Sequence, residues 1–190
     1  MMLRHVLTFI VGLATGTALA AILVFSPIEI GGVSNGPWIT NPNIGSSDAN
    51  PLIRSLVARR GLLALTREET VYFTATRDSS GHNLSERCAY EIVGQSPPAR
   101  WWSITIYDED SFLPRNGLDR HAATSTSATT SSDGHITIPV GQTTPGAIAT
   151  DNAGLFSLTL RLYHPDPIVL EALDDLALPR IERLSCEGDT

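Results

Sequence analysis

The chain has 190 residues, of which 42% are hydrophobic and 17% charged, a balance that excludes a largely disordered protein and favours one folded domain. Its formal net charge is −7 at pH 7 and no basic patch is visible, which disfavours nucleic-acid binding. The sequence contains no lysine, so a Schiff-base lysine and a phosphate-loop lysine are both excluded.

An apolar run without charge extends over residues 6–25. As a helix it would rise about 30 Å, the thickness of the hydrocarbon core of a bilayer. Arg4 and His5 precede the run and the next basic residue is Arg54, so the positive-inside rule predicts that the N-terminus stays in the cytoplasm. We therefore expect residues 1–25 to form a cytoplasmic stub and a transmembrane anchor, with the lipid bilayer as partner.

A cleaved signal peptide is the alternative interpretation of the same segment. Ala18 and Ala20 have the small-x-small spacing of a cleavage site, although five further apolar residues follow it directly. Both interpretations export the rest of the chain.

The segment after the apolar run, residues 26–49, is rich in Pro, Gly, Asn and Ser and is predicted to be an extended tether. Trp38 within it is expected either on the surface of the domain or at the membrane interface. Asn50 followed by Pro51 indicates a helix start, and Gly61 after Arg60 a helix stop. The folded domain is therefore expected to cover residues 50–190, beginning with a short amphipathic helix.

Strand patterns dominate the rest of the chain. Turn residues separate five runs that are rich in β-branched, aromatic or alternating apolar residues. These runs are residues 70–77, 88–93, 100–107, 135–139 and 155–163. In the third run Trp102, Ile104 and Ile106 alternate with more polar neighbours, which indicates one core face and one amphipathic face. Short strands separated by turns predict an antiparallel sandwich or barrel.

Two segments allow more than one interpretation. Residues 122–132 are almost wholly Ala, Ser and Thr, which is typical of a flexible loop or a weakly specified edge strand. Residues 166–184 carry spaced leucines and favour a final helix, or two short turns interrupted at Pro179.

The two cysteines, Cys88 and Cys186, are an even pair in a chain expected to be exported. Such a pair favours a disulfide that closes a loop of nearly a hundred residues. The alternative is two separate thiols, because spacing alone does not decide between them.

Several local motifs together resemble one protein family, the domains of unknown function numbered 1214 (DUF1214). These motifs are Gly36-Pro37-Trp38, Cys88-Ala89-Tyr90, the run Ala99-Arg-Trp-Trp-Ser-Ile-Thr-Ile-Tyr-Asp108 and Arg161-Leu-Tyr-His-Pro165. The resemblance covers roughly residues 36 to 166. It implies a mainly β protein, a jelly-roll-like antiparallel β-sandwich with one or two short helices. With the N-terminal helix it implies a bacterial inner-membrane protein that crosses once and holds its domain in the periplasm.

Polar and aromatic candidates for a binding face cluster within residues 100–120. They are Arg100, Trp101, Tyr107, Asp108, Asn116 and Arg120. An exposed aromatic ring beside carboxylate, amide and guanidinium groups is typical of a carbohydrate-binding surface. Asp at a strand end and Asn before glycine are also ordinary turn residues, so a purely structural role is the alternative.

No pattern in the sequence indicates catalysis, a cofactor or a metal site. Asp108, Glu109 and Asp110 are adjacent and do not supply the separated pair of carboxylates of a glycosidase. The GxSxG motif is absent and the histidines show no metal-binding spacing. We expect a non-catalytic binding or assembly module of the cell envelope, with a glycan or a protein as partner. The alternatives are a hydrolase or lyase acting on envelope glycans, and a structural component of an envelope complex.

Overall fold

The computed structural model describes residues 2–25, 31–59, 62, 64–142 and 146–188. The helices in these ranges are α1 (Met2–Phe25), α2 (Pro51–Arg59) and α3 (Pro167–Glu171). The strands are β1 (Val33–Asn35), β2 (Trp38–Thr40), β3 (Thr70–Ala75), β4 (Cys88–Gln95), β5 (Ala99–Tyr107), β6 (Ala122–Thr124), β7 (Thr129–Thr130), β8 (His135–Val140), β9 (Ser157–Pro165) and β10 (Arg180–Cys186).

The strands form two antiparallel sheets. The larger has six strands in the order β1-β2-β3-β9-β5-β6, and the smaller has four in the order β10-β4-β8-β7. All of their pairings are antiparallel. The fold prediction, mainly antiparallel β with short helices and an apolar N-terminal helix, is confirmed, and the jelly-roll arrangement stays a prediction.

One apolar core lies between the sheets. The alternation expected for β5 is observed, with Trp102, Ile104 and Ile106 buried against β9 and the facing sheet. The smaller sheet contributes Ile92 of β4 and Ile138 of β8 to the same cluster. In the central strands the core side chains alternate with side chains that point to the outer face of the sheet, so that face carries a different set of residues.

Helix α2 starts as the sequence predicts. The side-chain Oδ1 of Asn50 accepts a hydrogen bond from the Ile53 amide over 3.0 Å, which caps the first turn. Ile53 is buried, so the helix packs its apolar side onto the domain. The predicted stop at Gly61 and its neighbour Arg60 lie outside the described residues.

Part of the segment predicted as a tether belongs to the larger sheet. Strands β1 and β2 form a hairpin around Gly36, whose φ of +57° suits glycine. Trp38 is fully buried and its Nε1 donates to the carbonyl oxygen of Pro179 over 2.7 Å. Each of these strands has three residues, which is too short to show an alternating hydrophobic pattern. The Pro- and Gly-rich composition around them therefore favoured a tether.

The end of the chain also differs from the sequence prediction. A short helix, α3, is present, but residues 180–186 form strand β10 instead of a turn or helix. Cys186 lies directly opposite Cys88 across β10 and β4, and the two are joined in a disulfide. The register of β10 is therefore fixed by a covalent partner 98 residues away, which the local pattern does not reveal.

The Ala, Ser and Thr segment supplies edge strands. Strand β6 lies at one edge of the larger sheet and β7 at one edge of the smaller. A turn over residues 125–127 joins them. The edge-strand interpretation of this segment is the one that the structure supports.

Helix α1 is long and apolar enough to cross a membrane over Arg4–Phe25. Its described apolar side chains are largely exposed, among them Phe9 and Leu13. Length and composition alone do not separate an anchor from a signal sequence, which passes the same test.

Candidate ligand-binding groove

The outer face of the larger sheet carries polar and aromatic side chains that are partly shielded from solvent. The strand register aligns Tyr72, Arg161 and Ser103 in one row across β3, β9 and β5. Tyr72 is 5% exposed and Ser103 is 6% exposed. Leu65 lies over this face, since its amide donates to Tyr72 Oη over 3.1 Å. Hydrogen bonds and charges act more strongly in such partly dry surroundings than in water.

Arg161 lies in the middle of this row. Its Nη2 donates to Tyr107 Oη over 2.7 Å. Its guanidinium carbon is 5.5 Å from the centre of the Tyr107 ring and 5.9 Å from that of Tyr72. Contacts of this kind between a cation and an aromatic ring stabilise both partners. Arg161 therefore fixes the position of Tyr107.

Next to this row, at the end of the outer face, lies a groove of about 620 Å³. That volume is within the usual range for a small-molecule site. Five residues with hydroxyl groups, in the sheet or directly after β3, line the groove: Thr74, Thr76, Tyr107, Ser157 and Thr159. Ile39 and Leu62 add apolar surface. Thr159 is buried, and the hydroxyl groups of the other four residues are able to donate and accept hydrogen bonds with a polyhydroxyl ligand.

Charged side chains stand around these hydroxyl groups. Arg59 comes from the end of α2, Arg77 from the turn after β3, and Asp108 and Glu109 from the loop after β5. Arg77 is partly fixed, because its Nη1 donates to the carbonyl oxygen of Gly81 over 2.8 Å. Both signs of charge are thus available at the groove.

Asp108 has a structural role as well as a place in the groove. Its Oδ1 accepts hydrogen bonds from the Asp110 amide over 3.0 Å and from the Phe112 amide over 2.8 Å. This is the side-chain turn that Asp commonly makes at a strand end. The carboxylate therefore holds the loop that forms one wall of the groove.

The structure does not bring all of the candidate site residues together. Tyr107 and Asp108 line the groove, whereas Arg100, Trp101, Asn116 and Arg120 lie elsewhere. Asn116 accepts a hydrogen bond from the Arg120 amide over 3.1 Å. The Arg120 carbonyl in turn accepts one from Ala149 over 2.9 Å. Asn116 and Arg120 thus make backbone contacts in the loop after β5.

Trp101 lies on the same outer face but at the opposite end from the groove. Its ring packs at a tilt on Tyr163, with 5.1 Å between ring centres, and Arg100 beside it is exposed. The alternation of β5 explains this position, since Trp101 is six residues before Tyr107 on one face. One strand therefore carries two separate aromatic positions.

Sequence reasoning missed the residues that other segments bring to the groove. They are Arg59, Arg77, Thr74, Thr76, Ser157 and Thr159, with Arg161 behind Tyr107. The polar positions of the ninth strand, Ser157, Thr159 and Arg161, alternate with buried leucines. Arg161, in the middle of this central strand, was the signal in the sequence that the outer face of the strand is partly shielded from solvent.

A second polar cluster lies between the turn after β3 and strand β10. Asp78 is 2% exposed, and its Oδ1 accepts hydrogen bonds from the amides of Ser80 and His82. Arg183 Nε lies 3.8 Å from its Oδ2. These contacts fix the turn after β3 against the last strand, as a buried carboxylate requires paired surroundings.

Shifted pKa values occur away from the groove. Burial raises the pKa of Tyr90, whose hydroxyl accepts a hydrogen bond from the Ser85 amide over 2.9 Å. A hydrogen bond from the Ser131 hydroxyl lowers the pKa of Asp133 in an exposed turn. The described part of the chain contains no group of three or more His, Cys, Asp or Glu side chains that could hold a metal ion.

Comparison with known proteins gives a family and a fold. The model of a family of proteins of unknown function, DUF1214, matches residues 69–167, from before β3 to the start of α3. No curated protein matches the sequence.

Two solved structures are similar. The VPA0106 protein from Vibrio parahaemolyticus is 24% identical with a TM-score of 0.56, and the match covers 73% of this chain and 36% of that one. An uncharacterised protein from Burkholderia cenocepacia is 14% identical with a TM-score of 0.49, over 92% of this chain and 41% of that one. The chain thus spans well under half the length of either, and the Vibrio match bears on the fold alone.

Proposed function

The chain belongs to the DUF1214 family, and on that premise we propose that it is a membrane-anchored domain of the bacterial cell envelope that binds a saccharide in the groove. In this proposal α1 is the anchor with its N-terminus in the cytoplasm. A single β-sandwich domain then lies in the periplasm and binds its ligand without catalysis. The lipid bilayer and an envelope glycan are its partners.

Two features support the periplasmic location. The apolar helix precedes the domain, with Arg4 on its N-terminal side. Disulfides such as Cys88–Cys186 persist on the oxidising side of the inner membrane. The positive-inside rule then directs the N-terminus to the cytoplasm.

The observation that carries the binding function is the set of hydroxyl groups in the groove. Threonine, serine and tyrosine hydroxyls exchange hydrogen bonds with sugar hydroxyls, and the Tyr107 ring offers a face on which a sugar ring stacks. Arg161 holds that ring in one orientation, so less entropy is lost when a ligand binds. Among the described lining residues there is no histidine or cysteine, and Asp108 Oδ1 is already occupied by two amides.

A pair of threonine variants tests the proposal on the full-length protein in detergent micelles. Thr74 lines the groove, whereas Thr105 lies on the same face and outside it, and both are half-buried. Soluble hexose and N-acetylhexosamine oligosaccharides would be titrated by calorimetry. We expect Thr74→Val to weaken binding about three- to tenfold, the effect of one lost hydrogen bond. Thr105→Val should leave it unchanged.

Three results would contradict binding in the groove. The first is that no saccharide binds, and the second is that the two threonine variants weaken binding equally. The third is turnover of a bound saccharide that Asp108→Asn abolishes, which would replace a binding module by a glycan-acting enzyme.

A further inference from the structure

Arg59 connects the groove to the N-terminal helix. It lines the groove, and its Nη1 donates to the carbonyl oxygen of Val24 over 2.6 Å. Its guanidinium carbon lies 5.4 Å from the centre of the Phe25 ring. These two residues end α1, where free carbonyl groups favour a cation. The groove and the end of α1 are therefore neighbours.

A helix that spans a bilayer ends at the level of the lipid headgroups. Arginine at this level binds phosphate oxygens through paired hydrogen bonds. With α1 as the anchor, Arg59 and the adjoining part of the groove lie where lipid phosphates are most concentrated.

Exposed apolar side chains stand beside the groove. Phe112 is 70% exposed, Leu113 48% and Leu155 45%. Leu155 lines the groove. The Phe112 carbonyl accepts a hydrogen bond from the Asp108 amide over 2.9 Å, which keeps Phe112 and Leu113 close to it. Exposed apolar clusters of this kind are typical of surfaces that contact lipid or a partner.

We propose that the groove binds the headgroup of a phosphoglycolipid, a membrane lipid whose phosphate is attached to a hydroxylated ring. Arg59 binds the phosphate at the bilayer surface, and the hydroxyl groups around Thr74 bind the ring. Phe112 and Leu113 contact the acyl region. This inference rests on the proposed saccharide binding and adds that the saccharide is presented by the membrane.

The test uses full-length protein in phosphatidylcholine nanodiscs that contain a small fraction of a probe lipid. Phosphatidylinositol has both a phosphate and a hydroxylated ring. Monogalactosyldiacylglycerol has only the ring, and phosphatidylglycerol has the phosphate without a ring. Retained lipid would be counted by native mass spectrometry. We expect phosphatidylinositol to be retained about tenfold better than either comparison lipid, because only it satisfies both the charged and the hydroxylated parts of the groove.

Two arginine variants of α2 sharpen this test. Arg59→Gln should abolish the preference for phosphatidylinositol over the galactolipid. Arg54→Gln is the matched control, because Arg54 contacts only the carbonyl oxygens of Ala49 and Ser47 among its described hydrogen bonds. It should retain the preference. Thr74→Val should weaken the binding of lipid-bound and of soluble saccharides by the same factor.

The outcomes separate this inference from the function on which it rests. If soluble saccharides bind but the lipid preference is absent, or persists in Arg59→Gln, saccharide binding stands and the membrane-presented ligand is wrong. Equal retention of phosphatidylglycerol indicates a general anionic-lipid surface and also overturns it. If no saccharide binds in either form, both proposals fail.

Discussion

The two sheets differ in what their outer faces carry. On the smaller sheet the outward residues of β8 and β10, such as Thr137 and Arg180, are exposed and solvated. On the larger sheet Tyr72, Ser103 and Thr159 also point away from the core but are buried. Polar groups that are withdrawn from water are costly unless they are paired, so the burial of these residues distinguishes the outer face of the larger sheet, where we propose that the ligand binds.

The same comparison separates stability from binding. The smaller sheet contains the disulfide, and the larger one contains the groove. Changes to the disulfide should lower the free energy of unfolding with little effect on ligand binding. Changes to the groove should weaken ligand binding with little effect on the free energy of unfolding.

Removal of the disulfide is expected to have the largest effect on stability. Cys88→Ala with Cys186→Ala opens a loop between residues 98 apart, which the chain-entropy model values at about 4 to 5 kcal/mol. Urea unfolding of the full chain in detergent measures the loss. Ser185→Ala on the same strand is the control and should change stability by less than about 0.5 kcal/mol. A loss as small as that of the control would contradict a structural role for the bridge.

Trp38→Phe should lower the free energy of unfolding by about 2 kcal/mol. The variant leaves the Pro179 carbonyl without its partner and a small cavity in the core. Trp101→Phe is the matched change at a half-exposed position and should have less than half that effect. Thermal or urea unfolding compares the two, and equal losses would mean that the first hairpin does not hold the core together.

Arg161→Met should have the opposite profile. Replacing a half-buried cation by an apolar side chain of similar length is expected to change stability by less than about 1 kcal/mol. Saccharide affinity should fall about tenfold, because Tyr107 loses the contact that orients it. Calorimetry with the saccharide that wild type binds measures this. A variant that unfolds easily but binds normally would show that the outer face serves stability.

The ionisation of Tyr90 should give the smallest effect, visible only at high pH. Its pKa is raised by burial, so the folded state keeps the proton after the unfolded state has lost it. Stability is therefore complete below about pH 10 and falls as pH rises above that value. Tyr90→Phe should flatten this alkaline loss of stability in urea unfolding measured at several pH values. An unchanged slope in the Tyr90 variant would contradict the shift.

The sequence predicts correctly those elements that are specified by residues close together in the chain. The five runs predicted as strands correspond to β3, β4, β5, β8 and β9, and the alternation in β5 correctly identified its buried face. The cap at Asn50 is likewise a contact between neighbours in sequence. Such features are specified within a few residues, where period and propensity are informative.

What the sequence did not reveal depends on contacts between distant segments. Trp38 is buried because it packs in the core and donates a hydrogen bond to the Pro179 carbonyl. The residues of β10 form a strand because β4 pairs with them. At the groove, Tyr107 and Asp108 were found because they stand at the end of a distinctive strand. Arg59 and Arg77 were not, since each comes from another segment and only the fold brings them to the groove.

The contact between Trp38 and Pro179 also bears on the order of events in the export that we propose. The second strand of the chain donates to the residue just before the last strand, and Asn35 Nδ2 donates to the carbonyl oxygens of Leu173 and Leu176 over 3.2 Å and 3.0 Å. A chain that crosses a membrane from its N-terminus exposes Trp38 long before its partners emerge. In the export that we propose, the core closes only when Pro179 and its neighbours have crossed, and until then the exported segment must be kept from aggregating.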